Sequence, residues 1–172
     1  EQGADLNIAS VYLNPPLSNA QQQLYDRLLK GLVQLDIEGY SILVAKAIAN
    51  DLNDEISTVA HKMREFLTPD GLVLLVSTRQ GIRLVARSTT DNVDMAKLAI
   101  RFGGGGHKRA SSALIREEGR SNANISDARL SEVTHRVIET IPQVVTPGIK
   151  VSQMMSSDPL TLTPAMSAME AA

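Results

Sequence analysis

The chain has 172 residues, 43% hydrophobic and 21% charged, with a net charge of −2. That balance excludes wholesale disorder, and the length suffices for one self-supporting core or two small ones. The lack of cysteine excludes disulfides, thiol catalysis and thiolate metal sites. Aromatic residues make up only 3% of the chain and tryptophan is absent, which weighs against a base-stacking platform. No apolar run approaches the roughly 20 residues of a membrane span, so no membrane partner is expected. The three histidines (His61, His107, His135) lie far apart and do not suggest a metal cluster.

Charge is unevenly placed. Between Arg79 and Arg120 nine basic residues face four acidic ones, so this stretch carries +5 and the remainder −7. A basic middle on an acidic body fits a local anion site, although a solvated mixed surface has the same composition.

In chain order, Asn14-Pro15-Pro16-Leu17 is a stop and Ser18 a candidate N-cap. Leucines at 24, 28, 29, 32 and 35 then give a helical stripe, and Asp36–Gly39 reads as a turn. Tyr40–Ala47 is short and apolar, which predicts a buried strand. Asn53-Asp54-Glu55 supplies caps for a helix to about Leu67, with Ile56, Val59, Ala60, Met63, Phe66 and Leu67 on its apolar face. Pro69-Asp70-Gly71 ends it. Leu72–Ser77 and Ile82–Arg87 flank a four-residue loop containing Gly81, the pattern of a hairpin. Asp91-Asn92 can cap a helix from Val93 to about Phe102, which stops at four consecutive glycines. Ala110–Ile115 reads as a further strand and Asp127–Ile141 as a further helix, followed by a linker from Pro142 to Gly148. The last residues stop inside a helical pattern without a cap, as expected of a piece of a longer protein.

Two features carry chemistry. Gly103-Gly104-Gly105-Gly106-His107 would be a poor continuation of any helix or strand. Such a run permits close backbone approach to a ligand, and its successive N–H groups can form an anion-binding nest. His107, Lys108 and Arg109 add side-chain donors at once, though a flexible, soluble loop would look similar. The second feature is Arg87-Ser88 at a strand end, where a guanidinium fork can grip a phosphate bidentately or simply face solvent. One predicted helix separates the two features, so the chain can return and bring them together.

With Ala86-Arg87-Ser88, the Val93-Asp94-Met95-Ala96 helix start and FGGGGHKRASSALI in place, residues 40–115 resemble the DHH-associated domain. This domain follows the catalytic domain in DHH-superfamily phosphoesterases. The resemblance implies a substrate-binding signature made of Arg87, Ser88, Gly103, Gly104, Gly105, Gly106 and His107. In it Arg87 would clamp phosphate, Gly104–Gly106 would offer N–H groups and His107 would donate to phosphate or ribose. Ser88 would support Arg87 or bond the ligand itself. Ala110-Ser111-Ser112-Ala113 departs mildly from the family pattern, so no role passes to Ser111 or Ser112. The Asp-His-His motif and metal-binding carboxylates of the family's catalytic half are absent from this sequence. No cofactor is therefore expected in this chain, and manganese or magnesium would belong to catalytic domains of a parent protein.

Val151–Ser156, Pro159–Leu162 and Ala165–Ala172 are similar to the opening of a CBS domain. That order of domains resembles large bacterial proteins carrying a poly(A) polymerase or CCA-adding tRNA nucleotidyltransferase head.

The expected fold is α/β, a small central sheet flanked by helices with a truncated CBS-like segment. Residues 1–38 form a connector, 39–118 the DHH-associated domain, 119–148 a helix and linker, and 149–172 the CBS start. The expected function is holding the phosphate of RNA or a nucleotide for a catalytic domain elsewhere, in the cytoplasm. The rivals are the substrate half of a DHH-type phosphodiesterase and a dimerisation scaffold with a decayed anion site. A homodimer is compatible with any of these readings.

Overall fold

A computed structural model describes residues 16–49, 55–116, 126–148 and 151–155. Ser18 opens helix α1 (Asn19–Lys30) with a capping box, accepting from the Gln21 N–H while the Gln21 side chain accepts from its own. Leu24 and Leu28 are buried, but the helix stops at Gly31, short of the leucine stripe. Leu35 instead belongs to strand β1 (Val33–Ile37), which the sequence reading missed. Leucines three apart suit a helical face, yet Leu35 sits in an alternating strand whose partner is the next one.

Glu38 and Gly39, with φ of 52° and 83°, make the two-residue turn into β2 (Tyr40–Ile48). Positive φ at both central residues matches the twist of a hairpin. Helix α2 (Ile56–Leu67) buries Ile56, Val59, Ala60 and Met63. Phe66, expected on that face, is 80% exposed, because it lies at the flank of the buried arc near the helix end. Glu55 occupies the cap position without a side-chain bond, and the expected caps Asn53 and Asp54 lie outside the described residues.

Strands β3 (Gly71–Thr78) and β4 (Gly81–Ser88) form the expected hairpin. Its turn is tighter than expected, since Thr78 already pairs with Gly81 and only Arg79 and Gln80 lie between. Helix α3 (Met95–Arg101) starts two residues later than Val93, because Asp94 caps it by accepting from the Lys97 N–H at 3.1 Å. Strands β5 (Gly105–His107) and β6 (Ala110–Ile115) follow, joined by Lys108-Arg109. Helix α4 (Asp127–Thr140) runs into a 3₁₀ turn (Ile141–Val144), and α5 (Val151–Met154) is a single turn. The rest of the CBS-like stretch, from Ser156, lies outside the described residues.

Among the described residues six strands form one sheet in the order β1-β2-β3-β4-β6-β5. Within it β2 and β3 run parallel through the α2 crossover, and the other neighbours are antiparallel. Alternation splits the apolar residues between two faces. Leu43, Ala45, Leu72, Leu74, Val76 and Val85 pack under α1 and α2. Ile42, Val44, Val73, Leu75, Ile82, Leu84 and Ala113 pack against α3 and α4. Continuous burial along β3 follows from this double cover. The fold is thus the expected α/β sheet flanked by helices. Elements from both ends of the described chain join it: β1 and α1 on one side, α4 on the other. Among the described residues no helix is long and apolar enough to cross a membrane.

Candidate functional site

The glycine run does several jobs, and they differ residue by residue. Gly103, at φ 75°, ends α3: its N–H donates to Ile100 O at 3.1 Å and the Gly104 N–H donates to Ala99 O at 2.9 Å. These two bonds are the paired closure of a Schellman cap. The expected nest therefore does not form in full, because two of its donors are consumed by helix carbonyls. Gly104 and Gly106 lie against β6 so closely that a Cβ would meet Ser112 O at 2.1 Å and Ala110 O at 2.6 Å respectively. Gly105 is different: a Cβ there meets nothing within 4 Å.

Beyond the cap the run becomes β5, the outer strand of the sheet. An edge strand leaves alternate N–H and C=O groups without a neighbouring strand, so backbone donors remain on its outer side. The β5–β6 turn is fixed from two directions. Lys108 O accepts from the Met95 N–H at 2.9 Å, and Arg109 O accepts from the Ser88 N–H at 3.0 Å. The first bond satisfies an N-terminal amide of α3, and the second ties the turn to the end of β4.

Register then decides which side chains meet. Arg87 pairs with Ala110, and Ala110 pairs with His107, so the three form one row across β4, β6 and β5. Directly opposed residues point to the same face. Two strand spacings separate Arg87 from His107, about 10 Å between backbones. The same row continues to Leu72, which packs under α1 and α2, so this is their face of the sheet. Those helices cover β2, β3 and β4, whereas α3 packs beneath β5 and β6. Ala110, Ser112 and His107 are accordingly exposed. The result is an open shelf beside α2, with Arg87 at its inner wall, His107 at its rim and Gly105 and Ser112 in its floor.

Arg87 is half-buried, and its Nη1 donates to Ala86 O at 3.0 Å. Among the described residues no carboxylate forms an ion pair with it. Its pKa is lowered from the ordinary arginine value, first by burial and then by the positive charge of Arg64, with Glu55 opposing. Arginine remains protonated under such a shift. Arg64, on α2, bonds His61 Nδ1 through Nη2 at 3.3 Å. Arg64 therefore adds positive charge at the half-buried Arg87, and Glu55 opposes it. Sequence reading missed Arg64, since an arginine on a helix flank carries no signal until the fold sets it beside β4.

Ser88 follows Arg87 and points to the opposite face, where it is buried. Its hydroxyl lies 2.9 Å from Asp70 O and 2.7 Å from Thr90 O and accepts from the Thr90 N–H. It fixes the loop that follows Arg87 and does not face the shelf. Ser111 is likewise buried, its hydroxyl donating to Met95 O at 2.6 Å. His61 pairs with Glu65 along its helix, and His135 Nδ1 lies 2.9 Å from Ser131 O. Among the described residues no group of three histidine or acidic side chains is placed to hold a metal ion. The groups on the shelf are the Arg87 guanidinium, the His107 ring and the Ser112 hydroxyl, all able to donate hydrogen bonds.

No family model matches the chain. It is 33% identical over 171 residues to the A-adding tRNA nucleotidyltransferase of Geobacter sulfurreducens, covering 99% of this chain and 18% of that protein. It is 21% identical over 162 residues to the enzyme of the same name from Aquifex aeolicus, again spanning 18% of it. Among solved structures, an exopolyphosphatase-related protein from Bacteroides fragilis shares the fold, with a TM-score of 0.59 at 14% identity over 83% of this chain and 41% of that one. With the Arg-Ser pair and the glycine-histidine run on this sheet, the chain is similar to one segment, 18% of the length, of A-adding tRNA nucleotidyltransferases.

Proposed function

We propose that this domain binds the phosphate of RNA or a nucleotide on the shelf and holds it for a catalytic domain elsewhere in the parent protein. The observation that carries the reading is half-buried Arg87 in one row with exposed His107 on the open shelf. A half-buried guanidinium with no ion pair among the described residues, in the field of Arg64 more than of Glu55, is an arrangement that an anion would relieve. Arg87 supplies the fork, Arg64 a second charge, and His107 and Ser112 hydrogen-bond donors from the neighbouring strands. The relatives are named for adding A to tRNA, which favours RNA among the phosphate ligands. Because the chain spans 18% of those relatives, this is the role of one segment. Any manganese or magnesium used in chemistry would be held by other domains.

Gly105→Val tests the shelf directly. Its Cβ enters open space and its φ is not in the left-handed region, so the fold tolerates the change. The branched side chain would nevertheless occupy the floor over which a phosphate must approach. Binding of 5′-phosphorylated oligoadenylate, followed by titration calorimetry, is expected to weaken about tenfold, the loss of one charge-assisted contact. The melting temperature should stay within about 2 °C, since exposed changes usually shift stability little. Unchanged affinity in the folded variant would overturn the shelf as the binding surface.

A further inference from the structure

The shelf continues past the Arg87 row. Arg83 lies four residues earlier on β4 and so faces the same side, opposite Leu114 of β6. Four residues of strand separate Arg83 from Arg87 by about 13 Å. Between them on that face stand Val85 and Ser112, the latter paired with Gly105, so the intervening floor toward β5 is small. Pairing of β5 with β6 begins at Gly105 opposite Ser112 and does not reach Ala113 or Leu114. Among the described residues no strand pairs with that part of the β6 edge, and Gly104 lies beside its start.

At this end the surface sinks into an open depression of about 240 Å³, lined by Arg83, Gly104, Ser112, Ala113 and Leu114. Among the described residues no carboxylate forms an ion pair with Arg83. We infer that this depression is a second phosphate subsite and that the shelf takes an oligonucleotide of two or more residues. This inference rests on the proposed function and specifies its substrate class. One phosphate sits at Arg87, and the chain runs over β6 past the exposed Ser112, beside the buried Val85, so that another reaches Arg83 and the unpaired β6 edge. A mononucleotide would fill only the first position. Arg83 is the one cation and Ser112 the one hydroxyl in this lining, and both suit an anion at the end of a chain.

The test compares adenosine 5′-monophosphate with 5′-phosphorylated triadenylate on the full chain, using Arg83→Gln, Arg87→Ala and the parent sequence. Arg83→Gln is expected to weaken the trinucleotide about tenfold while leaving the mononucleotide within about twofold. The salt dependence should move with it: the slope of log K against log salt for the trinucleotide falls by about 0.7, one single-strand phosphate contact. Arg87→Ala should weaken both ligands. If Arg83→Gln weakens both ligands equally, or neither, the second subsite does not exist. If Arg87→Ala affects neither ligand, the proposed function itself fails, and the two failures are distinct. A thermal melt of each variant, with Arg83→Lys as a charge-retaining companion, separates lost contacts from lost folding. Recovery of the salt slope in Arg83→Lys supports the subsite, and a slope that stays low in that folded variant overturns a phosphate contact at this position.

Discussion

Gly104→Ala should lower the free energy of unfolding by about 3 kcal/mol, the upper range for overpacking a rigid site. The new Cβ would fall 2.1 Å from Ser112 O, 2.5 Å from Ala113 Cβ and 2.6 Å from Ala113 Cα. None of these atoms is the end of a flexible side chain, so either β6 or the glycine backbone must move. Backbone movement at Gly104 also breaks the N–H bond to Ala99 O that closes α3. Gly103→Ala has no clash but places Cβ on a residue at φ 75°, worth about 1–2 kcal/mol. Gly105→Ala, in open space, should be nearly neutral. Urea unfolding of the three variants should therefore rank them Gly104, Gly103, Gly105. Equal midpoints for Gly104→Ala and Gly105→Ala would contradict this account of the run.

That ranking also marks what could be read from the residues alone. Four glycines announced a break, which occurs; the close approach seen is to β6, where a ligand was expected. Their individual roles depend on where Ala99, Ile100 and Ser112 lie, which a run of identical residues cannot encode. The hairpin β3–β4, the strand β6 and helix α2 were legible because their apolar periods were clean and their ends were marked by Gly, Pro or Asp. Strand β1 was hidden because Leu32 and Leu35 fit a helical stripe as well as an alternating one, and Gly31 was passed over as a stop. Asp94 outcompeted Asp91 as a cap by lying three residues before Lys97, whose N–H it accepts. At the site, Arg87 and His107 could be paired from motif spacing. Arg64 and Arg83 could not, since they reach the shelf only through packing of α2 and the register of β4 with β6.

Arg87→Ala is expected to weaken binding of 5′-phosphorylated oligoadenylate ten- to a hundredfold, because a charge-assisted bidentate contact is worth about 1.5–3 kcal/mol. Half-burial of the guanidinium next to Arg64 should put the loss toward the upper part of that range. Arg87→Lys keeps the charge but loses the planar fork and should fall between. Arg101→Ala is the control: Arg101 lies on α3, against the opposite face, where its guanidinium meets Gln143. It should change affinity less than about twofold at moderate salt. Removing Arg87 should change the stability of the domain little, since the residue is half-exposed and forms no ion pair among the described residues. Equal losses from Arg87→Ala and Arg101→Ala would mean diffuse attraction by the basic middle of the chain, and the shelf would then have no special standing.

The sheet is assembled from three hairpins, β1–β2, β3–β4 and β5–β6, each closed by a two-residue turn. Isolated hairpins of this kind form in about 1–10 μs. The seams between them, β2 with β3 and β4 with β6, require the chain to close over a helix and are the slow, non-local steps. Arg87 belongs to the second hairpin and His107 to the third. No partly folded chain can bring them into one row until the β4–β6 seam has zipped. Ligand capture should thus appear last in refolding, after the backbone signal of the hairpins. In the native state, a bound phosphate that bridges the seam should slow amide exchange along β4 and β6 more than along β1 and β2.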